Sequence, residues 1–93
     1  MTLEGFATPE GTRRYRDRLV QAGAARPDHF REGPGGLVLS SIGLGTYLGK
    51  HDDATDALYL MAIMRAVEAG CNVIDSAINY RCQRSERTIG RAL

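Results

Sequence analysis

Two side chains near the end of the chain have the types and the spacing that could serve proton chemistry. In the stretch NVIDSAINYRCQRSE, residues 72–86, Asp75 ends a run rich in β-branched residues, and Tyr80 follows five residues later. The run reads as a buried strand, and a buried carboxylate is costly unless it is paired. We therefore expect Asp75 to be charged because it faces a functional site.

A strand and a helix are predicted before this motif. The segment LVLSSIGLGTYLG, residues 37–49, predicts a single strand that ends at Gly45 and Thr46. A helix follows, and either Asp53 or Thr55 can cap its amino end. The apolar stripe of this helix and its glycine stop are formed by Leu60, Ile63, Met64, Val67 and Gly70.

A second strand and helix complete the pattern. CNVIDSA, residues 71–77, predicts a short strand, and Ser85 with Glu86 begins another helix. The order strand, helix, strand, helix is typical of an α/β fold with parallel strands covered by helices. Ligands of such folds gather at the carboxyl ends of the strands. Residues 45–49 and 75–80 should therefore lie on the same side of the sheet.

The amino-terminal residues 1–36 are polar and rich in glycine and arginine. Thr8 followed by Pro9 predicts a helix start, and Gly23 predicts its end. The apolar stripe of this helix would consist of Tyr15, Leu19 and Ala22. The segment HFREGPGGLVLS, residues 29–40, predicts a hairpin around its glycine- and proline-rich turn.

Composition excludes several classes of function. The net charge is +1, with 12 basic and 11 acidic residues, so neither nucleic acid nor an anionic membrane is favoured as a partner. No apolar stretch approaches the ~20 residues of a membrane-spanning helix, and no secretory signal is evident. We expect a soluble cytoplasmic protein. Cys71 and Cys82 lack metal-site spacing, which favours reduced thiols and no metal centre.

A dinucleotide-binding loop of the Rossmann type is one interpretation of GLGTYLG, with Asp75 binding a ribose. The fingerprint needs a third glycine where Leu48 stands. It also needs a helix that opens immediately, whereas the eight residues YLGKHDDA intervene here. Both departures disfavour this interpretation.

The carboxyl-terminal part of the sequence, about residues 37–93, resembles the amino-terminal quarter of the aldo-keto reductases. In that family a Gly-Thr pair closes the first barrel strand, as in IGLGTYLG, residues 42–49. An Asp-(Thr/Ser)-Ala-x-x-Tyr motif follows the second strand, and a Ser-Glu-x-x-(Leu/Ile)-Gly segment opens the second helix. The matching residues here are Asp75, Ser76, Ala77, Tyr80, Ser85, Glu86, Ile89 and Gly90. The loop length resembles the branch related to the potassium-channel β subunits.

The resemblance implies a (β/α)₈ TIM barrel that transfers hydride between NADPH, or NADH, and an aldehyde or ketone. Tyr80 would be the general acid that protonates the carbonyl oxygen. Free tyrosine has a pKa near 10, and the family assists it with a lysine from a later strand. Asp75 would hold that lysine in a buried ion pair. The cofactor site would include Gly45, Thr46, Tyr47 and Asp75.

Some positions depart from the family pattern. Tyr47 stands where many members have Trp, Ser76 where Thr is usual, and Arg81 where Gly is frequent. No lysine or histidine follows Tyr80, so the family's catalytic lysine and histidine cannot come from this polypeptide. The earlier cationic and imidazole residues, which we expect to be exposed loop residues, are His29, Lys50 and His51.

The chain is too short for a barrel, which needs roughly 200 residues or more. We expect an amino-terminal extension with a helix and a barrel-bottom hairpin over 1–36, then a truncated barrel with the first two βα units over 37–93. Such a fragment should be inactive alone, with the barrel remainder supplied in cis or in trans. Two alternatives are a non-catalytic α/β interaction module and one chain of a split barrel.

Overall fold

The computed structural model describes residues 5–93, so the first four residues of the predicted extension lie outside the described residues. Helix α1 spans Pro9–Gln21, as the sequence predicts, and Thr8 caps it by accepting a hydrogen bond from the Gly11 amide. The predicted apolar stripe is only partly correct. Leu19 is buried, but Ala22 is exposed just after the last helical turn.

The predicted hairpin is present. Strands β1 (Phe30–Glu32) and β2 (Val38–Ser40) pair antiparallel, and a 3₁₀ turn at Pro34–Gly36 joins them. Gly35 adopts a φ of 67° in this turn, a left-handed conformation that glycine accepts without a steric penalty. A small core packs between the hairpin and α1, and it consists of Leu19, Phe30 and Val38 with Tyr15, Val20 and Ala25 around them.

The single strand predicted over residues 37–45 is wrong, because the chain changes sheets in its middle. Strand β2 ends at Ser40, and a separate strand β3 spans Gly43–Gly45. The Ser40 amide donates to the side-chain oxygen of Asn72 at 2.8 Å, and the Ser40 hydroxyl donates to the Ile42 carbonyl at 2.7 Å. Side-chain hydrogen bonds therefore replace the ladder at this point and let the chain turn.

Helix α2 spans Asp53–Glu68, and its cap differs from the prediction. Asp52 is the capping residue, with its carboxylate accepting from the Thr55 amide at 2.8 Å. Ile63 is fully buried, but Met64 is 47% exposed, so the predicted stripe is narrower than its spacing suggested. Gly70 follows the helix with a φ of 108°, as expected for a glycine stop.

Strand β4 (Val73–Asp75) lies parallel to β3 in a two-stranded sheet, and helix α3 (Arg84–Ala92) follows it. The register pairs Gly43 with Val73 and Gly45 with Asp75. The βαβ order is therefore confirmed. Closure of a complete barrel, and the boundary between an extension and a barrel part, stay predictions.

The amino-terminal end of the parallel sheet is bound to the hairpin by hydrogen bonds of Asn72 and His29. Asn72 donates from its side-chain nitrogen to the Val38 carbonyl at 2.8 Å, and its backbone amide donates to the Ser40 hydroxyl at 3.1 Å. His29 is half-buried, with Nε2 donating to the Gly70 carbonyl at 3.0 Å. The expectation that His29 is an exposed loop residue is therefore wrong, because its ring joins the hairpin to the end of α2.

Candidate functional site

The site predicted from the sequence lies at the carboxyl ends of β3 and β4. We call residues 45–50 and 75–83 the carboxyl rim. Gly45 and Asp75 are register partners at the end of the sheet. The next residue, Thr46, is fully buried, and its hydroxyl donates to the Asp75 backbone carbonyl at 2.7 Å. The Thr46 side chain therefore fastens the two strand ends together and is turned away from solvent.

Tyr47 and Tyr80 meet on this rim. Their ring centroids are 5.0 Å apart and the ring planes make an angle of 79°, an edge-to-face arrangement that aromatic pairs favour. Tyr47 is 64% exposed, whereas Tyr80 is partly buried. The Tyr80 amide donates to the Ala77 carbonyl at 3.0 Å, which closes the turn after β4. Residues 33 positions apart are thus brought into one aromatic pair.

Asp75 lies on the same rim, but it is not buried. Its residue is exposed, and Val73 and Ile74 before it are only partly buried, so the prediction of a buried strand is wrong for residues 5–93. Within that range Asp75 takes part in no ion pair. The carboxylate is therefore free to accept a cation from outside the described part of the chain.

Sequence reasoning missed Arg81, which is 2% exposed. Its Nε and Nη2 donate to the Lys50 carbonyl at 2.9 and 2.8 Å, and Nη2 also donates to Asp56 at 2.6 Å. The guanidinium carbon lies 4.7 Å from the centre of the Tyr59 ring, within range for a cation–π contact. The only signal in the sequence was that arginine stands where glycine is frequent among aldo-keto reductases.

Three consecutive residues after Tyr80 adopt left-handed backbone conformations. The φ angles are 49° at Arg81, 54° at Cys82 and 69° at Gln83. Residues other than glycine, asparagine and aspartate rarely adopt left-handed backbone angles. Each such residue lowers the stability of the fold by about 1 kcal/mol or more. The surrounding contacts must therefore offset a local strain that sits directly beside Tyr80.

Asp56 on α2 pairs with Arg81, the first residue of this left-handed segment, and with Arg84, which directly follows it. It pairs with Arg81 at 2.6 Å and with Arg84 at 2.7 Å. Desolvation raises the pKa of Asp56, but hydrogen bonds from both arginines outweigh it, and the pKa lies below its ordinary value. The hydrogen bonds that Arg84 donates to Asp53 and Asp56 raise the pKa of Arg84. The start of α3 is thereby held against the start of α2 by charge.

Helix α3 is also fixed beneath the rim by the hydroxyl of Ser85. The buried Ser85 hydroxyl donates to the Thr46 carbonyl, whereas the buried Thr88 hydroxyl donates within α3, to the Arg84 carbonyl at 2.7 Å. These residues were predicted only as the opening of a helix. Their burial shows that the polar face of this helix start points toward the end of β3.

Lys50 and His51 are exposed, as the sequence analysis expected. His51 Nδ1 lies 3.2 Å from the Sγ of Cys82, so these two exposed side chains are in contact at the edge of the carboxyl rim. Both cysteines are free thiols. Among residues 5–93 there is no group of three or more His, Cys, Asp or Glu side chains that could hold a metal ion.

The carboxyl rim offers room and an aromatic surface for a flat ring. A Cβ atom added at Gly45 would meet no atom within 4 Å, so the space beside this backbone is open. The hydroxyl of Ser76 is buried and has no hydrogen-bond partner within the described range. The rim therefore combines open space at Gly45 with the exposed ring of Tyr47 and an unpaired buried hydroxyl at Ser76.

The comparisons with known proteins point to one family. The model of the Aldo/keto reductase family matches residues 41–93, which include β3, α2, β4, α3 and every residue of the carboxyl rim. No solved structure matches the chain. Of the residues 5–93, no helix has both the length and the apolar character needed to cross a membrane.

Proposed function

This chain belongs to the aldo/keto reductase family, and on that premise we propose that it supplies the proton-donating rim of an NAD(P)H-dependent carbonyl reductase. The observation that carries the proposal is the meeting of Tyr80 and Tyr47 directly beyond the paired strand ends at Gly45 and Asp75. These residues were singled out from the sequence by their motif. They lie together where parallel α/β folds bind ligands.

Tyr80 would be the general acid in the reduction of an aldehyde or ketone. Its hydroxyl would donate a proton to the carbonyl oxygen while the carbonyl carbon is reduced, and general acids at this kind of step contribute ~10²–10⁴-fold in rate. The bound NADPH or NADH would supply the hydride. The contact with the Tyr47 ring limits the positions that the phenol can take, which favours a single approach to the substrate.

Asp75 would bind the cation that assists Tyr80. Its carboxylate is exposed at the rim, on the strand that leads into the Tyr80 turn. The sequence contains one lysine, Lys50, which precedes Tyr80 and is exposed. A catalytic lysine would therefore come from barrel strands outside these 93 residues, in cis or in trans, and we expect the 93-residue chain alone to be inactive.

Exposed apolar side chains support the idea that further barrel elements cover this unit. Parallel sheets normally have both faces covered by helices and strand neighbours at their edges. The large apolar side chains that are more than half exposed near the parallel sheet and on α2 are Ile42, Leu48, Leu58, Met61 and Ile78. The alternatives, a non-catalytic interaction module and a split barrel, differ in where that cover comes from.

The coding sequence beyond Leu93 distinguishes these cases. An in-frame continuation of about 200 codons, the length a barrel still needs, with a lysine and a histidine favours a longer reductase. A stop codon with a companion gene favours a split barrel, and a stop codon without one favours the module. The potassium-channel β-subunit-like branch, the choice between NADPH and NADH, and the cytoplasmic location stay predictions from the sequence.

The mechanism is tested by Tyr80→Phe in the active reductase that contains this chain. We expect carbonyl-dependent NADPH oxidation to fall by ~100-fold or more, because the ring remains but the proton donor is lost. Tyr15→Phe is the matched control, since it removes a phenol that binds the Val67 carbonyl far from the carboxyl rim. Unchanged turnover in Tyr80→Phe would remove Tyr80 as the acid.

A further inference from the structure

We propose that Arg81 is a positioning residue that fixes the loop bearing Tyr47 against the loop bearing Tyr80 and so sets the geometry of the aromatic pair. We call residues 46–52 the first rim loop and residues 76–83 the second rim loop. The catalytic meaning of this inference rests on the proposed function. The coupling between the two loops rests only on the contacts of Arg81.

The guanidinium of Arg81 spans the two loops and the helix between them. From the second rim loop it donates two hydrogen bonds to the Lys50 carbonyl, at 2.9 and 2.8 Å, in the first rim loop. Its ion pair with Asp56, at 2.6 Å, ties the same group to α2. Because its side chain is buried, water competes little with these bonds.

The first rim loop is shaped to close over this guanidinium. Gly49 has a φ of 113°, and a Cβ atom there would lie 3.0 Å from Thr55 Cγ2 and 3.8 Å from Arg81 Nε. The Tyr59 hydroxyl donates to the Leu48 carbonyl just before this glycine, and the Tyr59 ring lies under the guanidinium. The backbone that follows Tyr47 is thus held by Tyr59 at Leu48 and by Arg81 at Lys50.

The second rim loop is held by the same contacts, because Arg81 is one of its own residues. Arg81 directly follows Tyr80 and has a φ of 49°, where arginine is disfavoured and glycine is not. The side-chain contacts therefore explain why arginine is present at a backbone position suited to glycine. Arg81 is adjacent to Tyr80, and its acceptor Lys50 lies three residues after Tyr47, so these contacts restrain the backbone of both loops near the paired rings.

The contact set requires the fork geometry of arginine. One carbonyl receives two parallel N–H bonds while a carboxylate receives another from the same guanidinium, and the flat face packs on an aromatic ring. A lysine ammonium is a point charge with neither the planar fork nor the stacking face. Lysine at position 81 could keep the pair with Asp56 but would not hold the loop as well.

The test compares three variants of the chain by nuclear magnetic resonance. Arg81→Gly removes the guanidinium while keeping a backbone that accepts the left-handed turn, and Arg81→Lys keeps the charge. Arg84→Gln is the matched control, because Arg84 shares Asp56 as a partner but has no hydrogen bond to Lys50. The readout is the set of cross-relaxation peaks between the Tyr47 and Tyr80 rings, with far-UV circular dichroism to verify the helices.

We expect the ring-to-ring peaks to be lost in Arg81→Gly, weakened in Arg81→Lys and retained in Arg84→Gln. Retention of these peaks in a folded Arg81→Gly would overturn the inference. If Arg81→Gly loses its helices, the test rests on Arg81→Lys. Ring-to-ring peaks in Arg81→Lys that are as strong as in the unsubstituted chain would then contradict the inference.

Kinetics keep this inference separate from the proposed function. In the active reductase, Arg81→Gly should lower kcat by a larger factor than it changes KM, because the proton donor is misplaced rather than removed. If Tyr80→Phe is fully active, the proposed function fails while the ring-to-ring measurement still reports on Arg81. If the rings separate in Arg81→Gly but kcat does not change, the loops are coupled without a role in catalysis.

Discussion

The two ends of the parallel sheet are held by different kinds of contact. At the amino-terminal end, hydrogen bonds of Asn72 and His29 fasten the sheet to the hairpin. At the carboxyl rim, a buried guanidinium, two ion pairs of Asp56 and a left-handed backbone segment fix the loops. The amino-terminal end is thus closed off by its hydrogen bonds to the hairpin, whereas the carboxyl rim keeps polar side chains exposed.

The difference is also one of exposure. Asn72 is partly buried and uses its backbone amide and both side-chain atoms in hydrogen bonds. Asp75, three residues later at the end of β4, is exposed with its carboxylate unpaired within the described chain. Strand β4 thus directly follows a structural anchor and ends at an available charge. This arrangement is typical of parallel α/β folds in which residues at the amino-terminal ends of the strands stabilise the fold and residues at the carboxyl ends bind ligands.

The largest effect should come from the amino-terminal end. Asn72→Ala leaves the Ser40 amide and the Val38 carbonyl without their partners, and unpaired buried groups cost ~1–3 kcal/mol each. We expect a loss of about 2–4 kcal/mol in the free energy of unfolding, measured by urea denaturation. Asn79→Ala, an exposed substitution on the carboxyl rim, is the control and should change stability by less than about 0.5 kcal/mol. Equal effects of the two substitutions would contradict the comparison.

A smaller effect should appear when acid is added, and it should begin at the carboxyl rim. The pKa of Asp56 is lowered in the folded chain, so its contribution to stability is fully present above the unfolded value of ~3.9. That contribution is lost as pH falls below 3.9 through the lower folded pKa. Hydrogen bonds from Thr55 also lower the pKa of Asp52, which adds to the same trend.

Amide hydrogen exchange between pH 5 and 2.5 measures this difference. We expect protection at the start of α3 to fall before protection at Ser40, because only the former depends on ion pairs of Asp56. Asp56→Asn should reduce the pH dependence of amide protection at the start of α3 and leave the pH dependence of protection at Ser40 unchanged. Simultaneous loss of protection at both ends would show that the two regions do not open separately.

The smallest effect concerns the thiols, one at each end of the sheet. Cys82 is exposed at the carboxyl rim, whereas Cys71 is half-buried with its thiol directed at the Ile42 and Val73 carbonyls. We expect a disulfide reagent such as dithiobis(nitrobenzoate) to modify Cys82 several-fold faster. Single Cys→Ser variants assign the two rates. A faster reaction at Cys71 would mean that the amino-terminal end is the more open of the two.

Local signals in the sequence were sufficient for most of the fold. Thr8 with Pro9 marked the start of α1, Gly70 marked the end of α2, and the βαβ order predicted the parallel pairing of β3 with β4. The two helix boundaries depend on residues near one another in the chain, whereas the strand pairing follows from the order of the elements. The parallel pairing in turn is sufficient to bring Gly45 and Asp75 to one edge of the sheet, as the sequence predicts.

Contacts between distant residues could not be predicted in this way. The break between β2 and β3 depends on Asn72, which lies 32 residues after Ser40. Burial of Arg81 depends on Lys50 and Asp56, 31 and 25 residues earlier. The hydrophobic pattern is silent about polar side chains that become buried through such pairings. Neither predicted cap, Asp53 or Thr55, is the observed one, because the adjacent Asp52 has the same side chain as Asp53 and Thr55 instead donates to it.

The run of left-handed residues after Tyr80 restricts how this loop can change during evolution. Valine, isoleucine and threonine are excluded from positions 81–83 by backbone sterics, while glycine and asparagine enter freely. A lineage that exchanges Arg81 for glycine would gain an unstrained backbone and lose the tie to the neighbouring loop. Exchange at this one position therefore relieves backbone strain at the expense of the contact between the two loops.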